Sequence, residues 1–143
     1  MQFNFNDGGR AAAGFKGKAG DCVTRAIAIG TGLPYKQVYD LVNTEAISER
    51  SKGKIGKRSS ARTGVFKPTS KKILRDMGWT WTATMGIGTG CRVHLRADEL
   101  PAGVLIVSLS RHWTTVVDGV VHDTYDPSRD GKRCVYGFWR KDA

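Results

Sequence analysis

His112-Trp113-Thr114-Thr115-Val116-Val117-Asp118-Gly119-Val120-Val121-His122-Asp123 is two β-branched runs joined by Asp-Gly, the strongest short-range signal for a β-hairpin with a two-residue turn. Asp118 is spent on that turn. The turn also sets a register: Val117 faces Val120, Val116 faces Val121, Thr115 faces His122 and Thr114 faces Asp123. Side chains alternate between the two faces of a strand, so His112 and Thr114 share a face with Asp123 and Tyr125. Asp123 is then a diagonal neighbour of His112, within side-chain reach. Asp126 and His122 fall on the other face. A bulge would reverse the parity and make Asp126 the partner instead.

Working outward, Val104 to Leu109 is a continuous apolar run, the pattern of a buried strand, and Trp79 to Thr84 alternates with period two. Val135 to Trp139 reads as a last strand. The helical signals come earlier. Val23 to Ile29 is apolar nearly all round, with Asp21 as N-cap and Gly30 and Gly32 as terminators. Pro34 opens a second helix that runs to about Ile47. Thr69 or Ser70 caps a third, Lys71 to Met77, stopped by Gly78. Residues 1–20 carry five glycines and read as an irregular lead-in anchored by Phe3, Phe5 and Phe15. Helices first and antiparallel strands after give an α+β architecture, N-terminal helices packed on a small antiparallel sheet. With 143 residues and no repeat or linker, the chain is one domain, 1–143, interrupted by a basic mobile loop at 50–66.

Charge is concentrated in that region. From Arg50 to Arg75 there are ten basic residues and no acidic one, which equals the net charge of +10 for the whole chain. Lys52, Lys54, Lys57, Arg58 and Arg62 are the candidate contacts to nucleic acid or to an acidic partner protein. Only Phe66 interrupts the segment with an aromatic ring, so single-strand stacking is not indicated. A solvated loop fits the same residues. No apolar stretch approaches the ~20 residues of a membrane span, and no leader pattern opens the chain. The three cysteines, Cys22, Cys91 and Cys134, are an odd number without paired spacing. They argue against a disulfide framework and for a reducing, cytoplasmic setting. Gly86-Ile87-Gly88-Thr89-Gly90 lacks the Lys-Ser/Thr ending of a phosphate loop and reads as a turn. Neither a cofactor nor a metal is expected.

Cys22 opens the first helix, where free amides and the helix dipole favour a thiolate. With His112 as base and Asp123 to orient the imidazole, the three make a nucleophile, base and orienter set. Cys91 and Cys134 have no such setting. Gly20-Asp21-Cys22-Val23-Thr24-Arg25-Ala26-Ile27-Ala28, Tyr35 with Val38-Tyr39, Pro101, Gly103, the His112 strand and Val117-Asp118-Gly119 through Asp123-Thr124 resemble the small papain-like, peptidase-C39-like cysteine peptidases of phages and bacteria. The resemblance spans roughly residues 20–45 and 98–127. It implies a papain-like fold with Cys22 as nucleophile, His112 as base and an aspartate after the hairpin as third member. The expected activity is a peptidase, isopeptidase or amidase working through a thioester on a peptide or protein substrate, in the host cytoplasm if phage-encoded. Papain-like peptidases carry a glutamine shortly before the cysteine as oxyanion donor. Residues 16–21 contain none, so the donor falls to the Cys22 amide, to other backbone amides, or to Gln2, Asn4 or Asn6 folding back. Two alternatives stay open: acyl transfer with the same three residues, and a catalytically inactive papain-like effector that binds through its basic loop.

Overall fold

The computed structural model describes residues 1–17, 19–49 and 58–141. It is mixed α+β, with three helices on a six-stranded sheet. The elements are β1 (Gln2–Phe5), α1 (Cys22–Thr31), α2 (Tyr35–Ile47), α3 (Lys67–Asp76), β2 (Thr80–Ala83), β3 (Val104–Leu109), β4 (His112–Val117), β5 (Val120–Asp123) and β6 (Gly137–Arg140). Strand order across the sheet is β1-β5-β4-β3-β6-β2.

β3 is apolar apart from Ser108 because both of its faces are covered. Ile106 packs with Val23, Ile27, Val38, Leu74 and Trp79 in the core beneath the helices. Leu105, Val107 and Leu109 point the other way and pack with Leu95, Val116, Val121, Val135 and Phe138. The hairpin has the expected register, with Val117 opposite Val120, Val116 opposite Val121 and Thr115 opposite His122. Asp118 (φ 46°) and Gly119 (φ 80°) both sit in the left-handed region that a type I′ turn requires. Thr115 ties the sheet to α1, its hydroxyl donating to the Ala26 carbonyl at 2.8 Å.

Several expectations are corrected. The lead-in is not wholly irregular: Gln2–Phe5 forms an edge strand parallel to β5, so the sheet is mixed rather than purely antiparallel. Phe3 and Phe5 are exposed, and only Phe15 anchors, against Tyr35 and Tyr39. α3 starts four residues early, because Pro68 is tolerated in a first helical turn. Of the loop expected at 50–66, residues 50–57, including Lys52, Lys54 and Lys57, lie outside the described residues. The rest of it, from Arg58 on, is tied to the body of the protein by hydrogen bonds. Ala61 is fully buried, its carbonyl accepts from Thr24 and its amide donates to Asn43. Arg58 donates to the Ile47 carbonyl and Arg62 to that of Lys16. Cys91 and Cys134 are joined in a disulfide, against the expectation from their spacing. The pair is brought together by backbone pairing of His94 with Cys134, which no local pattern announces. The disulfide removes the cysteine count as an argument for a reducing compartment. Among the described residues no helix is long and apolar enough to cross a membrane.

Candidate active site

Cys22 is the first residue of α1 and, among the described residues, the one free cysteine. His112 is the first residue of β4 and Asp123 the last of β5. The hairpin parity therefore holds at the level of side chains. His112 Nε2 lies 2.7 Å from Asp123 Oδ2, and the Thr114 hydroxyl donates to the same oxygen at 2.7 Å. The Thr124 amide donates to Asp123 Oδ1 at 2.7 Å. Tyr125, the fourth residue expected on this face, places its ring 5.1 Å from the imidazole. Asp126 is not part of the cluster: its carboxylate accepts the Ser128 amide and caps a turn. His94 and His122 are held elsewhere, by Glu99 and Asn4.

Cys22 and His112 line the same cleft, and the imidazole and the Trp113 backbone amide both act on the Cys22 thiol in favour of its ionised form. Since Nε2 is engaged by Asp123, Nδ1 is the nitrogen left to exchange a proton with sulfur. Burial opposes ionisation of Cys22, but the His112 hydrogen bond, the Trp113 amide and the positive charges of His112 and Arg25 outweigh it. The thiol is held below its ordinary 9.0. For His112 burial pulls downward, yet the bonds to Asp123 and Cys22 win and raise it above 6.5. Asp123 is likewise pushed up by burial and drawn lower still by His112 and Thr114, ending below 3.8. All three directions favour a thiolate beside an imidazolium beside a carboxylate.

Asp21, next to the sulfur, would oppose that thiolate if its charge were free. It is 2 % exposed and does not cap the helix with its side chain. Instead it is paired with Arg25 one turn along, receives the Tyr35 hydroxyl at 2.6 Å and lies 3.4 Å from Arg10. Arg25 also reaches Asp123 Oδ1 at 3.6 Å, so one guanidinium bridges the acid beside the nucleophile and the acid behind the base. The Asp21–Arg25 spacing of four residues was the signal for this pair. The link from Arg25 to Asp123 had no signal, because it joins α1 to β5.

None of the proposed side-chain oxyanion donors lines the cleft: Gln2 and Asn4 sit in β1, Asn4 bonds His122, and Asn6 Oδ1 accepts the Gly8 amide. The Cys22 N–H, by contrast, lies at the positive end of α1, in the first turn, where amides lack a helical partner. Cys22, Arg25, His112, Trp113 and Tyr125 line a cleft of about 610 Å³, in the size range of ligand sites. Outside it, the described side chains offer one group with ligand atoms close enough to hold a metal, Cys91, His94 and Cys134, and the disulfide occupies both of its sulfurs.

No protein-family model matches the chain, and neither a curated protein nor a solved structure matches it.

Proposed function

We propose that the protein is a papain-like cysteine hydrolase that cleaves an amide bond, peptide or isopeptide, through a thioester. The observation that carries this is the buried His112–Asp123 pair sharing the wall of an open cleft with Cys22 at the start of α1. A domain that only bound a partner would have no use for a buried His–Asp pair aimed at a helix-terminal sulfur. Buried charges cost stability unless they are fully paired.

In the proposed reaction His112 Nδ1 takes the Cys22 proton and Asp123 stabilises the imidazolium. The thiolate attacks the carbonyl carbon, a C–S bond forms, and the carbonyl oxygen becomes an oxyanion facing the Cys22 N–H. The C–N bond breaks as His112 hands its proton to the departing amine. Water, deprotonated by His112, then attacks the thioester and releases the acid and the thiolate.

Alkylation tests the premise. At pH 6, iodoacetamide should modify Cys22 within minutes while Cys91 and Cys134, held in their disulfide, take no label without reductant. A Cys22 that labels no faster than a free thiol in a denatured control would sink the hydrolase assignment.

A further inference from the structure

We infer that the aromatic cavity adjoining the Cys22 cleft is a substrate subsite that takes one aromatic side chain next to a carboxylate. The cavity lies between α3 and the helix-facing side of the sheet and measures about 230 Å³. A cavity of ~150 Å³ is known to hold benzene, whereas drug-sized ligands need ~300 Å³ or more, so this one suits a single ring. Its walls are Trp81, Trp113, Tyr136 and Trp139. It is continuous with the catalytic cleft, because Lys67, Ser108, Trp113 and Tyr136 line both. A chain lying across Cys22 can therefore drop one side chain into it.

Three features mark the cavity as built for an occupant. Ser108 is 7 % exposed, lines both spaces and has no side-chain hydrogen bond among the described residues. A hydroxyl on a cavity wall with no protein partner is free to bond an occupant. Second, β6 has glycine where the floor passes. In register, Trp113, Ser108 and Gly137 form one cross-strand row, and a Cβ at Gly137 would stand 2.4 Å from the Trp81 ring. Only glycine there lets Trp81 lie over the strand. Third, Lys67 and Lys71, one turn apart on α3, stand at the rim without an acidic partner among the described residues, whereas Lys72 beside them is paired with Glu45 and Asp76. Two unpaired ammonium groups over an aromatic slot select a ring with an anion beside it, from an acidic side chain or a chain terminus.

The proposal rests on the hydrolase assignment only in calling the occupant a substrate, and its test is separable from catalysis. Three of the four tryptophans line the cavity and the fourth, Trp79, is in the core, so intrinsic fluorescence reports occupancy. The Cys22→Ala protein is titrated with acetyl-Asp-Phe-Gly-Gly amide, its Phe→Ala and Asp→Asn analogues, and acetyl-Gly-Phe with a free carboxylate. The Phe peptide should bind at least about tenfold tighter than the Ala peptide, as expected for burying one ring. Loss of the anion should weaken binding about two- to fivefold, an effect that disappears in the Lys67→Gln/Lys71→Gln variant and in high salt. Whether the Asp or the free terminus gives the larger effect identifies the source of the carboxylate. Gly137→Ala should erase the Phe preference. Equal binding of Phe and Ala peptides to folded Cys22→Ala protein overturns the subsite, even if the wild type cleaves both. A retained Phe preference with no cleavage of any peptide by the wild type keeps the subsite and removes the hydrolase assignment.

Discussion

At Cys22 burial disfavours a thiolate while His112, Trp113 and Arg25 favour it, and the second set wins. That balance has a pH signature. Activity should rise as the thiol ionises, below 9.0, and fall as the imidazolium loses its proton, above 6.5, giving a bell-shaped profile of kcat/KM. In Asp123→Asn the alkaline limb should move toward 6.5, since the largest upward influence on His112 is gone. A profile unmoved by that substitution would deny Asp123 its role. The stability signs follow from the same shifts. His112 is raised, so its contribution is complete below 6.5 and fades as pH climbs through the raised value. Asp123 is lowered, so its contribution is complete above 3.8 and fades as pH falls through the lowered value. Thermal melts should therefore show the largest gap between the wild type and His112→Gln between pH 3.8 and 6.5, narrowing on either side.

Among the elements, α1 carries two burdens. It presents Cys22 at its start, and its first turn supplies Arg25, whose side chain is 11 % exposed between Asp21 and Asp123. Arg25→Met would leave two buried carboxylates short of their cation, a loss of about 3–5 kcal/mol by the usual cost of breaking a buried pair. Denaturant unfolding measures it. A change under about 1 kcal/mol would mean that Arg10 and Tyr35 suffice for Asp21. β3 bears the packing: Leu105 is fully buried between the sheet and the loop side of the core. Leu105→Ala should cost about 2–5 kcal/mol in the same assay while leaving iodoacetamide labelling of Cys22 unchanged below the unfolding transition.

For the whole molecule, the disulfide closes a long loop, with 43 residues of sequence separation between Cys91 and Cys134. It ties the segment after β2 to the one entering β6, and Tyr136, two residues on, lines both the cleft and the aromatic cavity. Cys91→Ser should lower stability by about 2–4 kcal/mol, chiefly by freeing the unfolded chain. Intact mass under non-reducing conditions checks the bond itself. An unchanged melting temperature in the variant would show that the bond adds nothing to stability.

The sequence by itself determined what local rules control. Asp-Gly between β-branched runs specified a hairpin whose parity placed His112, Thr114 and Asp123 on one face, and it passed over Asp126, because a two-residue turn leaves no freedom of register. A cysteine in front of an apolar helical run was enough to mark Cys22, and that run with its glycine terminators marked α1, as Pro34 marked the start of α2. Tertiary structure decided whatever joins distant segments. β1 needs the edge that β5 offers, because the alternation of Gln2-Phe3-Asn4-Phe5, though of strand period, is too short to specify a strand alone. The disulfide depends on the pairing of His94 with Cys134, forty residues apart in the chain. The bridge of Arg25 between Asp21 and Asp123, and the meeting of Trp81, Trp113, Tyr136 and Trp139 around one cavity, arise from packing α1 and α3 on the sheet. Sequence spacing encodes faces of single elements, whereas a site built from several elements exists only after they pack.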